Sequence, residues 1–125
     1  RTRADALLGR LGLDGFADAF VHELSTGTRR LVGLACALAH EPSVLLLDEP
    51  AAGVPAGESA EILDTLAALP ANVTVLLIEH DMDLVFNFAR TVSALVNGAV
   101  FAEGDVQSIS TDPRVKAVYL GEGHD

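Results

Sequence analysis

Among its 125 residues the chain has no tryptophan, one tyrosine, one methionine, one cysteine and one lysine. A lone Cys36 excludes an internal disulfide and fits a reducing compartment. Basic residues are scarce, eight against eighteen acidic ones, for a net charge of −10. Nucleic-acid binding needs a clustered basic face. Only Arg29 and Arg30 stand side by side, so no nucleic-acid partner is expected. No apolar run approaches the ~20 residues that cross a bilayer; the longest, 31–39, is interrupted by Gly33. The start carries no signal-peptide pattern, and there are no repeats or low-complexity segments. What remains is a globular composition, half hydrophobic, sufficient for one domain with a modest core.

Periodicity organises that composition. Residues 4–13 put Leu7, Leu8 and Leu11 on one helical face, and Gly12 and Gly15 bracket a break before a short helix at 16–20. Ser25 and Gly27 open a longer helix that runs to His40, where the Glu41-Pro42 step stops it. A strand at 44–47, a helix at 58–69 and a strand at 73–78 follow. Next come a helix at 82–89 and a hairpin (92–96 and 100–102) around Asn97-Gly98. Asp105 and Asp112 open two terminal helices, the second turning Val115, Val118 and Tyr119 inward. This order predicts an α/β fold: a parallel core with an antiparallel edge, preceded by an all-helical segment at 1–40. No linker separates the parts, so one domain with two subregions, 1–40 and 41–125, is expected.

Two places carry chemistry. VLLLDEP (44–50) is an apolar run that delivers Asp48 and Glu49 to one point before Pro50 turns the chain. A continuous Val/Leu run reads as a buried parallel strand, and its carboxyl end is where open α/β sheets bind ligands. Buried carboxylates are disfavoured without compensation; a magnesium ion and a reacting water would supply it. LSTGTRR (24–30) lies at a helix start, where Ser25 is a good N-cap and Gly27 lets backbone amides approach an anion.

These two motifs, with AAGV (51–54), LLIEHD (76–81) and NGAVFAEGD (97–105), resemble in order and spacing the signature, Walker B, D-loop, H-loop and closing hairpin of ATP-binding-cassette ATPases. LLIEHDMD, AAG after the Walker B proline and the ending DPRVKAVYLGE are most similar to the ATP-binding subunits of branched-chain amino acid importers. The resemblance covers nearly the whole chain from about residue 20. It implies the C-terminal part of a P-loop NTPase (RecA-like) parallel-sheet core with a preceding helical-subdomain segment. It also implies that Ser25, Thr26 and the Gly27 amide bind the γ-phosphate of ATP held by the opposite subunit. Asp48 would hold Mg2+ mainly through water, Glu49 would be the general base, and His80 would contact the γ-phosphate. The implied partners are a second nucleotide-binding domain, arranged head to tail, and transmembrane permease subunits. The implied location is the cytoplasmic face of the plasma membrane.

The chain departs from the family pattern in three ways. Thr26 and Thr28 replace the second-position glycine and terminal glutamine of LSGGQ, and AAGV lacks the D-loop aspartate of many relatives. No G-x-x-x-x-G-K-[ST] loop, Q-loop or adenine-stacking aromatic is present, and the sole lysine, Lys116, lies far from any glycine loop. The chain is therefore expected to be the C-terminal half of a nucleotide-binding domain, cut inside its helical subdomain and inactive towards ATP alone. The alternative is a non-catalytic regulatory or interaction module derived from such a domain. A chromosome-type ATPase lobe would need heptads before the signature and a basic face, and the sequence has neither.

Several residues have plainer readings. Asp81 reads as the N-cap of the next helix, with Asp81-x-Asp83 as a metal pair the lesser reading. His22, His40 and His124 lack partners at ligand spacing, and Cys36 reads as a small core residue. Glu58 and Glu61 read as first-turn acids favoured by the helix dipole. Arg29 and Arg30 fit equally a nucleotide anchor and a solvated helix face.

Overall fold

A computed structural model describes residues 2–119, which fall into two compact units divided between Ile78 and Glu79. The first unit contains α1 (Thr2–Arg10), 3-10 turns at Asp14–Phe16 and Val21–Glu23, α2 (Thr26–Leu38), β1 (Val44–Asp48), α3 (Ala56–Ala67) and β2 (Thr74–Ile78). The second contains α4 (Met82–Phe88), β3 (Thr91–Val96), β4 (Ala99–Asp105), α5 (Val106–Thr111) and α6 (Pro113–Tyr119). The expected helical segment thus shares a unit with the strand–helix–strand that follows it.

In the first unit β1 and β2 pair in parallel, with Val44 opposite Thr74 and Asp48 opposite Ile78. A parallel pair needs a crossover, and α3 supplies it. Leu31, Leu34 and Ala35 of α2, Leu45 of β1 and Ile62 and Leu66 of α3 form the buried set, with Leu11, Leu13 and Leu24 from the preceding segment. Alternation along the strands leaves the other sheet face bare: Val44, Leu46, Leu76 and Ile78 are 54–69% exposed. The residues at 16–20 form no helix. Five residues beside Gly15 are too few to offset helix nucleation, so the chain makes two 3-10 turns, the second closed by the Phe20 N–H donating to Glu23 (3.3 Å).

In the second unit β3 and β4 form a two-residue hairpin, with Val96 opposite Ala99. Asn97 (φ 52°) and Gly98 (φ 80°) both take positive φ, as a type I′ turn requires. The hairpin is a sheet of its own and not the antiparallel edge of the parallel pair that the sequence suggested. Ala94, Ala102, Ile109 and Val115 form its core, with Phe86, Val92, Phe101 and Tyr119 packed against it. The Tyr119 hydroxyl donates to the Leu95 carbonyl at 2.6 Å, which brings α6 to the hairpin.

Candidate functional site

The start of α2 is built by Ser25. Its backbone is extended (φ −66°, ψ 164°), and its hydroxyl accepts from the Thr28 N–H at 3.2 Å and donates to Thr28 Oγ1 at 2.9 Å. Thr28, standing where the family carries glutamine, thus engages the signature serine through both backbone and side chain. Thr26, the first helical residue, is exposed. Gly27 is buried against α3: a Cβ placed on it would lie 2.7 Å from the Cβ of Glu58 and 3.0 Å from its Cδ. Close helix approach demands glycine here, a reason independent of any ligand. Glu58 is in the first turn of α3, as the sequence suggested; its contact with Gly27 carries no local sequence signal.

Both arginines hold backbone carbonyls of the first unit. Arg29 donates from Nε to the Val21 carbonyl (3.2 Å) and from Nη2 to the His22 carbonyl (3.4 Å), bracing the turn before the signature. Arg30 donates from Nη2 to the Ala52 carbonyl at 3.0 Å, across 22 residues of sequence.

β1 ends at Asp48, and the Glu49 N–H extends the ladder by donating to Ile78 O at 2.8 Å. Glu49 then adopts φ 47°, and a turn closes behind it as the Ala52 N–H donates to the Glu49 carbonyl at 3.1 Å. A left-handed conformation costs a residue with a Cβ about 1–2 kcal/mol, and such strain gathers at functional positions. Neither acid is deeply buried. Asp48 is exposed and Glu49 half-buried, and among the described residues no charged side chain belongs to the core. Asp48 therefore does not carry the cost of a buried carboxylate, contrary to the argument from a buried strand: the bare sheet face leaves the strand end open to water.

Among the described residues no group of three His, Cys, Asp or Glu side chains gathers as a metal cage. Asp48 supplies one hard oxygen at an open strand end. That suits Mg2+, which keeps several waters and binds through one or two carboxylates plus substrate phosphates.

His80 belongs to the second unit. It is exposed and lies between the end of β2 and Asp81, which caps α4 by accepting from the Leu84 N–H at 3.3 Å. Asp81 is thus a helix cap, as first read. Beside His80, Glu79 holds an Oε1 that is out of solvent and has no hydrogen-bond partner among the described residues. His22 stacks on Phe20 with ring centroids 5.6 Å apart, His40 is exposed, and His124 lies outside the described residues. Cys36 is exposed, not a core residue: it sits on the outward face of α2, opposite the side carrying Leu31, Leu34 and Ala35. A cleft of about 320 Å3, lined by Leu11, Leu13, Phe16, Leu31, Glu61 and Thr65 among others, includes none of Ser25, Thr26, Gly27, Asp48, Glu49 or His80.

Known proteins match this chain over nearly all of its length. Residues 1–52 match the family described as ABC transporter, and residues 99–125 match branched-chain amino acid ATP-binding cassette transporter. The chain is 34% identical over 125 residues to the probable branched-chain amino acid transport ATP-binding protein LivG of Methanocaldococcus jannaschii, covering 96% of this chain and 49% of that protein. It is 37% identical over 122 residues to the high-affinity branched-chain amino acid transport ATP-binding protein LivG of Escherichia coli (96% and 48% covered). Among solved structures, an ATP-binding cassette of an ABC transporter in its ADP conformation superimposes with a TM-score of 0.86 at 34% identity, over 96% of this chain and 49% of that one. CbiO1 of Clostridium perfringens, part of the transporter complex cbiONQ, gives 0.82 at 30% identity (98% and 51% covered). The chain spans about half the length of these relatives. Its motifs, its fold and its identity to these proteins agree: the chain belongs to the ATP-binding subunits of ABC transporters.

Proposed function

We propose that this chain is the C-terminal part of the nucleotide-binding subunit of an ABC importer of the branched-chain amino acid type. The parent hydrolyses ATP at the cytoplasmic face of a membrane, paired head to tail with a second nucleotide-binding domain and joined to permease subunits. The observation that supports this best is Glu49, a carboxylate held in a left-handed turn at the end of a parallel strand, directly after Asp48. The remainder of the parent supplies the phosphate-cradling loop and the cover over the bare face of the sheet.

In this reading Asp48 would hold Mg2+, largely through water, and the bound ion would supply charge neutralisation at the phosphates. Glu49 accepts the proton of the attacking water as its oxygen bonds to the terminal phosphorus, while the bond from that phosphorus to the bridging oxygen breaks and ADP leaves with the electron pair. His80 and, from the opposite subunit, Ser25, Thr26 and the Gly27 amide hold the oxygens of the transferred group. Phosphoryl transfer depends chiefly on positioning and charge stabilisation, so dividing the donors between two subunits makes hydrolysis conditional on closure.

Three substitutions in the full-length parent separate these roles. Glu49→Gln keeps shape and metal binding but loses the base, and turnover should fall by about 10²–10⁴-fold while ATP-bound closed dimer accumulates in size-exclusion chromatography. Asp48→Asn should weaken nucleotide binding only when magnesium is present. Ser25→Arg should block closure and leave binding to the monomer nearly intact. Wild-type turnover in Glu49→Gln would make Glu49 a structural acid and remove the mechanism.

A further inference from the structure

We infer that Arg30 is a positioning residue for Glu49, through which the signature helix that serves one ATP site sets the base of the other. The inference rests on the head-to-tail reading above and adds a route between the two sites.

The route consists of contacts within the first unit. Ala52 is held on both sides of its peptide chain: its N–H donates to the Glu49 carbonyl (3.1 Å) and its carbonyl accepts from Arg30 (3.0 Å). The first bond closes the turn that keeps Glu49 at φ 47°, and the second ties that turn to α2. The same helix carries Ser25 at its N-cap, and Arg30 is its fifth residue. Over so short a distance an α-helix moves as a rigid rod. A second tie lies alongside, since Gly27 rests on Glu58 at the start of α3, beyond the far end of the same loop. The loop between β1 and α3 is therefore gripped by α2 at its middle and at its exit. Exposed pairs of charged groups contribute little. Arg30 instead donates to a backbone carbonyl, so its value lies in where it fixes the chain.

In a head-to-tail pair Ser25 binds phosphate at the partner's site, whereas Glu49 of the same chain activates water at its own. Phosphate drawn against Ser25 orders α2, and Arg30 passes that order to the turn behind Glu49. The left-handed turn is the strained element on which both sites act, as a coupling between sites requires. Arg29, next in sequence, makes the same kind of contact but to Val21 and His22, away from the Glu49 turn. It serves as an internal control.

The test measures steady-state ATP hydrolysis by the full-length parent as a function of Mg-ATP concentration. Two coupled sites permit a Hill coefficient of up to about 2, and the wild type should lie clearly above 1. Arg30→Met, which keeps the apolar stem and loses the donors, should bring the coefficient to about 1 and lower kcat several-fold with KM little changed. Arg29→Met removes the same charge and should leave the coefficient at the wild-type value. If the methionine variant does not fold, Arg30→Gln replaces it with the same expectation, since its amide falls short of Ala52. Arg30→Met that keeps wild-type cooperativity, or Arg29→Met that loses as much, would overturn the inference. So would a wild type with a coefficient of 1 and normal turnover, which would leave the reading of the site intact. Absence of any ATP turnover in the wild-type parent would instead overturn that reading, and the coupling with it.

Discussion

Gly27 has two demands upon it, and they can be separated. As part of the signature it presents a backbone amide; as part of α2 it leaves room for Glu58. A methyl group there would meet the Glu58 Cβ at 2.7 Å, a contact that rotation of the Glu58 side chain cannot relieve. Gly27→Ala should therefore destabilise the chain by about 1–3 kcal/mol, the usual range for overpacking, despite the better helix propensity of alanine. Urea unfolding of the single and double variants checks this. Glu58→Gly should restore stability to Gly27→Ala, and Glu58→Ala, which keeps the offending Cβ, should not. Equal rescue by both would place the cost elsewhere. This contact marks the limit of what the sequence reveals at this scale. The caps Ser25 and Asp81 are legible because donor and acceptor lie three residues apart. The contacts of Gly27 with Glu58 and of Arg30 with Ala52 join distant segments, and no local pattern announces them. The core reading of Cys36 fails for a related reason: its alanine neighbours, Ala35 and Ala37, do not show which small residues of the helix face outward.

At the scale of elements, type was more legible than extent. Apolar runs ending in turn residues identified both parallel strands, and Asn97-Gly98 identified the hairpin. That β3 and β4 pair only with each other, where the strand order suggested an antiparallel edge, is an outcome no local pattern reveals. The terminal helices show what sustains short elements. α5 and α6 have six and seven residues, too few to persist on propensity alone. Asp105 caps α5 by accepting from the Ser108 N–H at 2.7 Å, which holds its carboxyl below the ordinary 3.8. Asp112 is lowered likewise, first by the side-chain hydrogen bond from Arg114 and then by the Arg114 N–H. The Arg114 guanidinium also lies over the Phe101 ring, 5.4 Å from its centroid. A carboxyl whose folded value is depressed contributes stability that is present above its unfolded value and lost as pH falls through the folded one. α5 and α6 should therefore be intact at neutral pH and loosen only in acid, below 3.8. NMR titration of the Ser108 and Arg114 amides should show transitions below that value, and Asp105→Asn should abolish the first. A Ser108 transition at or above 3.8 would contradict the cap.

At the scale of the molecule, the bare face of the β1–β2 sheet dominates. Parallel sheets are ordinarily covered on both faces, yet Leu46 is 69% exposed and its ladder partner Leu76 57%. Val44 and Ile78 extend the same face, and each strand has one open edge among the described residues. Covering a leucine fully gains about 1.5–3 kcal/mol, so four such side chains meeting a second copy outweigh the loss of free motion once concentration is high. The opposing term is the net charge of −10, which repels like copies. Salt decides between them, because at about 0.15 M screening confines that repulsion to about 8 Å and leaves apolar contact untouched. The 125-residue chain should therefore be monomeric in dilute low-salt buffer and associate as salt and protein concentration rise, as followed by light scattering. Leu46→Lys combined with Leu76→Glu places opposite charges across one rung of the ladder without altering net charge. This double variant should stay monomeric at every ionic strength while its circular dichroism remains that of the wild type. Association that persisted in the double variant would move the contact from this face to the exposed pair Leu95 and Val100 on the hairpin.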